Sequence, residues 1–245
     1  MFLRFLSLIL FSGICVAGEL RVCADPDNLP FSHAEESGFE NRIARLLAAE
    51  LDRTLAYTWH PQRRGFVRKT MGAKVCDVWI GVPADFERVL TTRPYYRSAY
   101  VFVSAKSRRV SGFAELERLR VGVELPGDDG AATPPGHALA ARGIHALGYS
   151  VYGATPAAQR MVEAMAKGEL DAAVAWGPAV GSFAAAREFS LEPVRELGSP
   201  FPFQFSIAVG VRRGEKDLRD ALDGALERRR REVEAVLDEF RVPRL

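Results

Sequence analysis

The chain has 245 residues, 48% of them hydrophobic, and sets 33 Lys and Arg against 31 Asp and Glu. That near-balance excludes the general electrostatic grip on nucleic acid or anionic lipid that a strongly basic chain would have. The length and apolar content suffice for one large core or two small ones.

The N-terminus reads as a secretory leader. Arg4 gives a positive start, Phe5 to Phe11 an apolar centre and Val16-Ala17-Gly18 a small-residue exit, so residues 1–17 are predicted to be removed by cleavage near Ala17 or Gly18. Ser12 and Gly13 interrupt an apolar stretch that is already short for a bilayer span, and Ile14 stands where a lipoprotein signal places a small residue before its cysteine. A soluble exported protein without a membrane anchor is expected. Once Cys15 is lost with the leader, Cys23 and Cys76 form an even pair in an oxidising compartment, and a disulfide between them is predicted.

Leu20 to Ala24 reads as a strand that breaks into a turn-rich polar loop, Asp25-Pro26-Asp27-Asn28-Leu29-Pro30-Phe31. After Gly38, the helical spacing of Ile43, Leu46, Leu47 and Leu51 predicts a helix over 39–51. Strand 55–59, a short helix over 65–71, strand 75–82 and a long β-rich run, 95–104, complete a first group. A second group follows, with a short helix over 113–116, a strand over 120–124 and a turn at 126–130. Thr133-Pro134-Pro135 caps and opens a helix through Ala141. Helix 156–166, strand 171–175 and a helix around 179–186 come next. The chain ends with strand 206–211 and helices near 218–226 and 233–240. This alternation predicts an α/β fold in which each group wraps a mostly parallel sheet. The run Arg228 to Arg231 reads as a solvated helix face.

Strand, glycine, long helix, strand, Asp77-Val78-Trp79-Ile80-Gly81-Val82 and then Pro94-Tyr95-Tyr96 resemble the periplasmic type II solute-binding proteins, family 3-like. Gly168-Glu169-Leu170-Asp171-Ala172 is similar to the Gly-x-x-Asp-Ala strand of their second lobe. The resemblance implies a two-lobed fold with two crossing strands, near Val103 and Phe205: lobe 1 from 18–103 and 205–245, lobe 2 inserted as 104–204. A narrower likeness runs through four motifs: 21–32, Pro61-Gln62-Arg63-Arg64-Gly65-Phe66-Val67-Arg68, Leu90 to Ser98, and Trp176-Gly177-Pro178. These resemble the quinoprotein dehydrogenase-associated binding proteins, the J-type proteins of periplasmic methanol oxidation. The resemblance implies a periplasmic quinoprotein (methanol-type) dehydrogenase as partner. Pyrroloquinoline quinone and calcium or a lanthanide are expected in that enzyme, with no cofactor bound directly by this chain.

Ligands of open α/β sheets sit at strand C-termini. The candidate cleft residues are therefore Asp25, Asn28 and Phe31 after the first strand, Gly81, Val82 and Pro83 after the cysteine strand, Asp128, Asp129 and Thr133 before a helix, and Trp176 opposite. Tyr95 and Tyr96 join them from the Pro-Tyr-Tyr motif. Asp25-Pro26-Asp27-Asn28 is equally a turn, Thr133 an N-cap and Trp176 core filler between lobes. Amino-acid-binding relatives hold the ligand ammonium with an acid where this chain has Trp176, and an indole cannot neutralise that charge. Arg88, Arg93 and Arg97 are the candidates for a carboxylate, and Arg64, with Arg63 and Arg68, could face a carboxylate or a partner protein. A small ligand or a peptide segment could occupy the cleft. The four histidines show no metal-ligand spacing, so no metal site is expected, and neither a phosphate loop nor a Gly-x-Ser-x-Gly elbow is present.

Three functions remain at this point. The first is a non-enzymatic accessory factor that binds the dehydrogenase and helps activate or mature it. The second is delivery of a small non-amino-acid solute to an ABC permease. The third is an enzyme on a binding-protein scaffold, like the cyclohexadienyl dehydratases, for which Glu40, Asp25 or Asp128 would supply the acid or base.

Overall fold

The structure, a computed structural model, describes residues 18–126, 132–153, 155–196 and 199–245. In chain order the elements are β1 (Glu19–Ala24), a small hairpin of β2 (Asp27–Asn28) and β3 (Ser32–His33), α1 (Phe39–Glu50), β4 (Thr54–Trp59), the one-turn helix α2 (Phe66–Lys69), β5 (Val78–Pro83), β6 (Leu90–Thr91) and the long β7 (Tyr96–Ser104). After a 3-10 turn at Phe113–Leu116 come β8 (Val121–Leu125), α3 (Pro134–Ala141), β9 (Ala146–Ser150), α4 (Ala157–Ala166), β10 (Ala172–Trp176), α5 (Gly177–Ala186) and β11 (Ser190–Pro193). The chain closes with β12 (Gln204–Val211), α6 (Lys216–Arg228) and α7 (Arg230–Glu239).

The strands run in the order β4-β1-β5-β12-β7-β10-β8-β9. β1 pairs in parallel with β4 and β5, and β8 pairs in parallel with β10 and β9. Between these parallel groups lie two long antiparallel strands. β7 pairs with β12 from Tyr96 to Ala99 and with β10 from Tyr100 to Ser104, so a single strand belongs to both lobes and changes partner after Ala99.

Each lobe has its own core. In the first, α1, α6 and α7 bury Phe39, Ile43, Leu47, Leu222 and Leu237 against Leu20, Val22 and Ile80 of the sheet. In the second, successive residues of β7 point to opposite faces, as strand geometry requires. Val101 and Val103 pack with Met161 and Val180 on one side, while Phe102 packs with Phe113, Leu116 and Leu139 on the other. The disulfide expected between Cys23 and Cys76 is present, with a Cα separation of 5.5 Å, and joins the end of β1 to the chain entering β5. Phe66, Met71, Val82 and Val89 surround it.

Besides the two-residue strands β2, β3 and β6, the strands β9 and β11 have no counterpart among the elements expected from the sequence. β9 is an edge strand whose Leu147 is exposed, and β11 is four residues long and ends in Pro193, which suits an edge. In the C-terminal basic run, Arg228 and Arg229 reach back to Glu50 of α1 and Arg230 pairs with Glu227. Solvent-screened pairs of this kind contribute little to net stability. Among the described residues, no helix is long and apolar enough to cross a membrane.

Candidate functional site

A cavity of about 140 Å³ lies between the lobes. The first lobe lines it with Asp27, Asn28, Leu29 and Phe31 from the loop after β1. The second contributes Glu124 near the end of β8, Pro156, Ala157 and Ala158 where α4 starts, and Trp176 and Ala179 at the start of α5. Strand C-termini and helix N-termini thus meet at one point, as open α/β sheets arrange their sites.

The loop after β1 is fastened rather than free. The Asp25 carboxylate accepts the backbone N–H of Asp27 at 3.0 Å and that of Gln62 at 2.6 Å, and Ser32 Oγ donates to the Asp25 carbonyl at 2.8 Å. Asp25 therefore ties the loop to the segment after β4 and does not line the cavity. Asn28 Nδ2 donates to Gln62 Oε1 at 3.4 Å. Phe31 and Trp176 each pack against the cores of both lobes, and Trp176 meets Tyr100 and Phe205 edge-on at 5.3 and 5.7 Å between ring centres. Arg63 adds a further link, its guanidinium 4.3 Å from the ring centre of Tyr152.

Glu124 is a site residue that the sequence pattern did not reveal. It is 6% exposed, its Oε2 accepts the backbone N–H of Trp176 at 3.1 Å, and its carbonyl accepts Thr133 Oγ1 at 3.1 Å. Burial pushes its carboxyl up to about 7, against the downward pull of the Trp176 bond. The available signal was an acid inside an otherwise apolar strand, Val121-Gly122-Val123-Glu124-Leu125. It also alters the argument built on Trp176: the indole brings no charge, but a carboxyl stands one backbone hydrogen bond away.

Of the candidates that the sequence suggested, Asn28, Phe31 and Trp176 meet at this cavity. Thr133 is buried as the N-cap of α3 and supports Glu124 through its hydroxyl. Glu40 is buried in the first turn of α1 against Gly81, which adopts a φ of +79° and where a Cβ would overlap the Glu40 carboxyl. Val82 packs around the disulfide and Pro83 pairs with Ile207. Tyr96 lies in the first-lobe core, with Tyr95 packed against it and the Tyr95 hydroxyl buried without a hydrogen bond among the described residues. Arg64 is exposed, the Arg93 backbone N–H donates to Asp223 at 2.8 Å, and Arg97 donates to Gln204 at 2.7 Å on another surface. Asp128 and Asp129 lie outside the described residues.

Two buried acids set a pH dependence. Desolvation raises Glu40 to about 8, and Glu124 stands at about 7. Both carboxyls bind protons in the native state that the unfolded chain has released, so stability falls as pH rises from about 4.5 towards 8. On the acid side Asp77 works the opposite way. Burial would raise it, but hydrogen bonds from Arg21 and Arg212 outweigh that and hold it below its usual range, so its contribution is lost as pH falls below about 4. Stability is expected to peak between about pH 4 and 4.5 and to fall by a few kcal/mol, as an order of magnitude, by pH 9. Urea unfolding across that range measures it. Glu40→Gln should flatten the descending limb, and a stability that holds or rises from pH 5 to 9 would contradict these assignments.

Two lobes joined by a pair of antiparallel strands, with a small cavity at the facing strand ends, define a binding protein of the two-lobed periplasmic class. The chain belongs to the bacterial extracellular solute-binding proteins, family 3, whose pattern it matches over residues 20–237. It is 33% identical to Protein MoxJ of Methylorubrum extorquens over 249 residues, 93% of this chain and 82% of the relative. To Protein MoxJ of Paracoccus denitrificans it is 31% identical over 254 residues, 92% of this chain and 89% of the relative. Among solved structures, the periplasmic binding protein XoxJ from Methylobacterium extorquens AM1 superposes with a TM-score of 0.75 at 34% identity, covering 92% of this chain and 99% of XoxJ.

Proposed function

We propose that the chain is exported to the periplasm, with residues 1–17 removed as a leader, and acts there as an accessory factor of a PQQ-dependent alcohol dehydrogenase of the methanol type. It binds the enzyme and helps it become active or mature; the quinone and its calcium or lanthanide belong to the enzyme. The observation that carries this reading is the likeness to MoxJ and XoxJ, about one-third identity sustained over nine-tenths of the chain and both lobes. The disulfide suits an oxidising compartment.

The geometry bears on how a partner would be met. A cavity of about 140 Å³ is well below the roughly 300–1,000 Å³ of pockets for drug-sized ligands, so a peptide segment does not fit between the lobes as they stand. The enzyme is therefore expected to meet the outer surface. Capture tests the reading: the full chain, immobilised and exposed to periplasmic extract, should retain the quinoprotein dehydrogenase. A dehydrogenase that passes unretained would count against it.

A further inference from the structure

We propose that the segment from His60 to Cys76, built around α2, is a docking face for an acidic protein surface, met by the charges of Arg64, Arg68, Lys69 and Lys74 and by the side chain of Val75. The proposal rests on the reading that the chain serves a partner enzyme, and it adds where on the chain that enzyme is met and by what chemistry.

Charge segregation is the first argument. Between His60 and Cys76 stand five Lys and Arg and not one Asp or Glu. Without those five and Arg4 of the leader, 27 of the 33 Lys and Arg remain, against 31 Asp and Glu, so the local excess sits on an otherwise net acidic chain. Arg63 is taken up by the ring of Tyr152. Arg64, Arg68, Lys69 and Lys74 are exposed, and none of the four forms an ion pair among the described residues. Asp25 and Asp77, which border the segment, are engaged elsewhere: Asp25 by the backbone N–H groups of Asp27 and Gln62, Asp77 by Arg21 and Arg212. The C-terminal basic run behaves differently, since Arg228 and Arg229 pair with Glu50 and Arg230 with Glu227. A run neutralised by its own chain is a solvated helix face, whereas one left without a carboxylate keeps its field for a partner.

The fold makes these cations a fixed face. Phe66 and Met71 pack around the disulfide, and Thr70 and Cys76 are buried with them, so the segment has an inner side in the first lobe and an outer side that carries the charges. Gly72 N–H donates to the Val67 carbonyl at 2.8 Å, Lys74 N–H to that of Met71 at 3.1 Å and Val75 N–H to that of Thr70 at 3.3 Å, turns that bring Lys74 and Val75 back to the end of α2. The Arg68 guanidinium lies 3.6 Å from where a Cβ on Gly65 would stand, which folds it over the start of the helix next to Arg64. Val75 is 42% exposed and supplies an apolar contact beside the charges. Guanidinium forks match carboxylates in pairs of hydrogen bonds. A folded partner suits this face better than an anionic bilayer. One exposed valine beside a one-turn helix offers little to insert among acyl chains, and the net acidic remainder of the chain would be held off by the bilayer's own charge.

Surface plasmon resonance of the full chain, with the purified quinoprotein dehydrogenase as probe, tests this. The unmodified chain should bind, and its association rate should fall about tenfold between about 20 and 300 mM salt. Arg64→Glu, Lys69→Glu and Lys74→Glu together should slow association about tenfold at low salt, while Arg228→Glu, Arg230→Glu and Arg231→Glu, an equal change in net charge on the C-terminal run, should alter it less than about twofold. Native circular dichroism checks both variants, and Gln at the same positions serves where Glu prevents folding. A first variant that associates as fast as the unmodified chain, a rate insensitive to salt, or equal slowing by the C-terminal variant would overturn the docking face and leave the dehydrogenase reading standing. An unmodified chain that does not bind the enzyme at micromolar concentration would overturn both. Tighter binding to phosphatidylglycerol vesicles than to the enzyme, lost in the first variant, would assign the charges to a membrane and overturn the proposal.

Discussion

Replacing Cys23 and Cys76 together with alanine is expected to lower stability by about 4 kcal/mol, the chain-entropy value for a loop of this length. The bridge spans a sequence separation of 53 and encloses the end of β1, α1, β4 and α2, so cutting it frees a large part of the first lobe in the unfolded state. Both cysteines are also fully buried among Phe66, Met71 and Val82, and the smaller alanines leave that packing incomplete. At about 2–4 °C per kcal/mol for a chain of this size, the melting temperature should fall by roughly 8–16 °C. Urea and thermal unfolding of the oxidised protein and of the double variant measure it. A loss under about 1 kcal/mol would show that the bridge restrains little in the unfolded chain.

The second large effect concerns how the lobes are held together. Gly177 and Gly181 lie one turn apart on α5, facing the C-terminal tail and the crossing strand. A Cβ at Gly181 would overlap the Arg241 carbonyl, and one at Gly177 would lie 2.7 Å from the Ala99 carbonyl and 3.3 Å from Pro243. The tail is fixed in turn: Leu245 N–H donates to the Arg97 carbonyl at 3.0 Å, Ser98 Oγ donates to the Pro243 carbonyl at 2.5 Å, and Val242 is buried in the first-lobe core. Alanine for glycine inside a helix ordinarily gains up to about 1 kcal/mol. Here the overlap is with backbone, which cannot swing aside as a side chain does, and overpacking costs about 1–3 kcal/mol. Gly181→Ala should therefore destabilise by about 1–2 kcal/mol and loosen the seam beside Trp176. Gly224→Ala on α6, where the new methyl meets the flexible end of Arg228, should stabilise. Opposite signs in thermal melts support the close seam; a stabilising Gly181→Ala would dismiss it.

Elements with strong periodicity were legible in the sequence. The α1 stripe of Ile43, Leu46 and Leu47, the Thr133 cap and the cysteine pair all appear in the structure as the residues suggested. The short edge strands β9 and β11 were not, because five- and four-residue segments flanked by turns carry too little alternation to register.

At the site, the rim was legible and its charge was not. Asn28, Phe31 and Trp176 were found because they follow strands and precede helices. Glu40, in the first turn of a helix, was a candidate from the sequence and is sealed against Gly81, whereas Glu124, an acid inside an apolar strand, was not and lines the cavity. That difference depends on which strand end meets which helix, and local pattern does not carry it. Asp25 misled for a related reason: two backbone N–H groups, one from Gln62 far along the chain, occupy its carboxylate.

The central claim is the service to a quinoprotein dehydrogenase, and the activity of that enzyme tests it most directly. Dehydrogenase activity and quinone content should be measured in cells that produce this chain, in cells that lack it, and after the gene is restored. The account predicts low activity without the chain, recovery on restoration, and co-purification of the two proteins from the periplasm. Full activity in its absence, with no association in the extract, would contradict it.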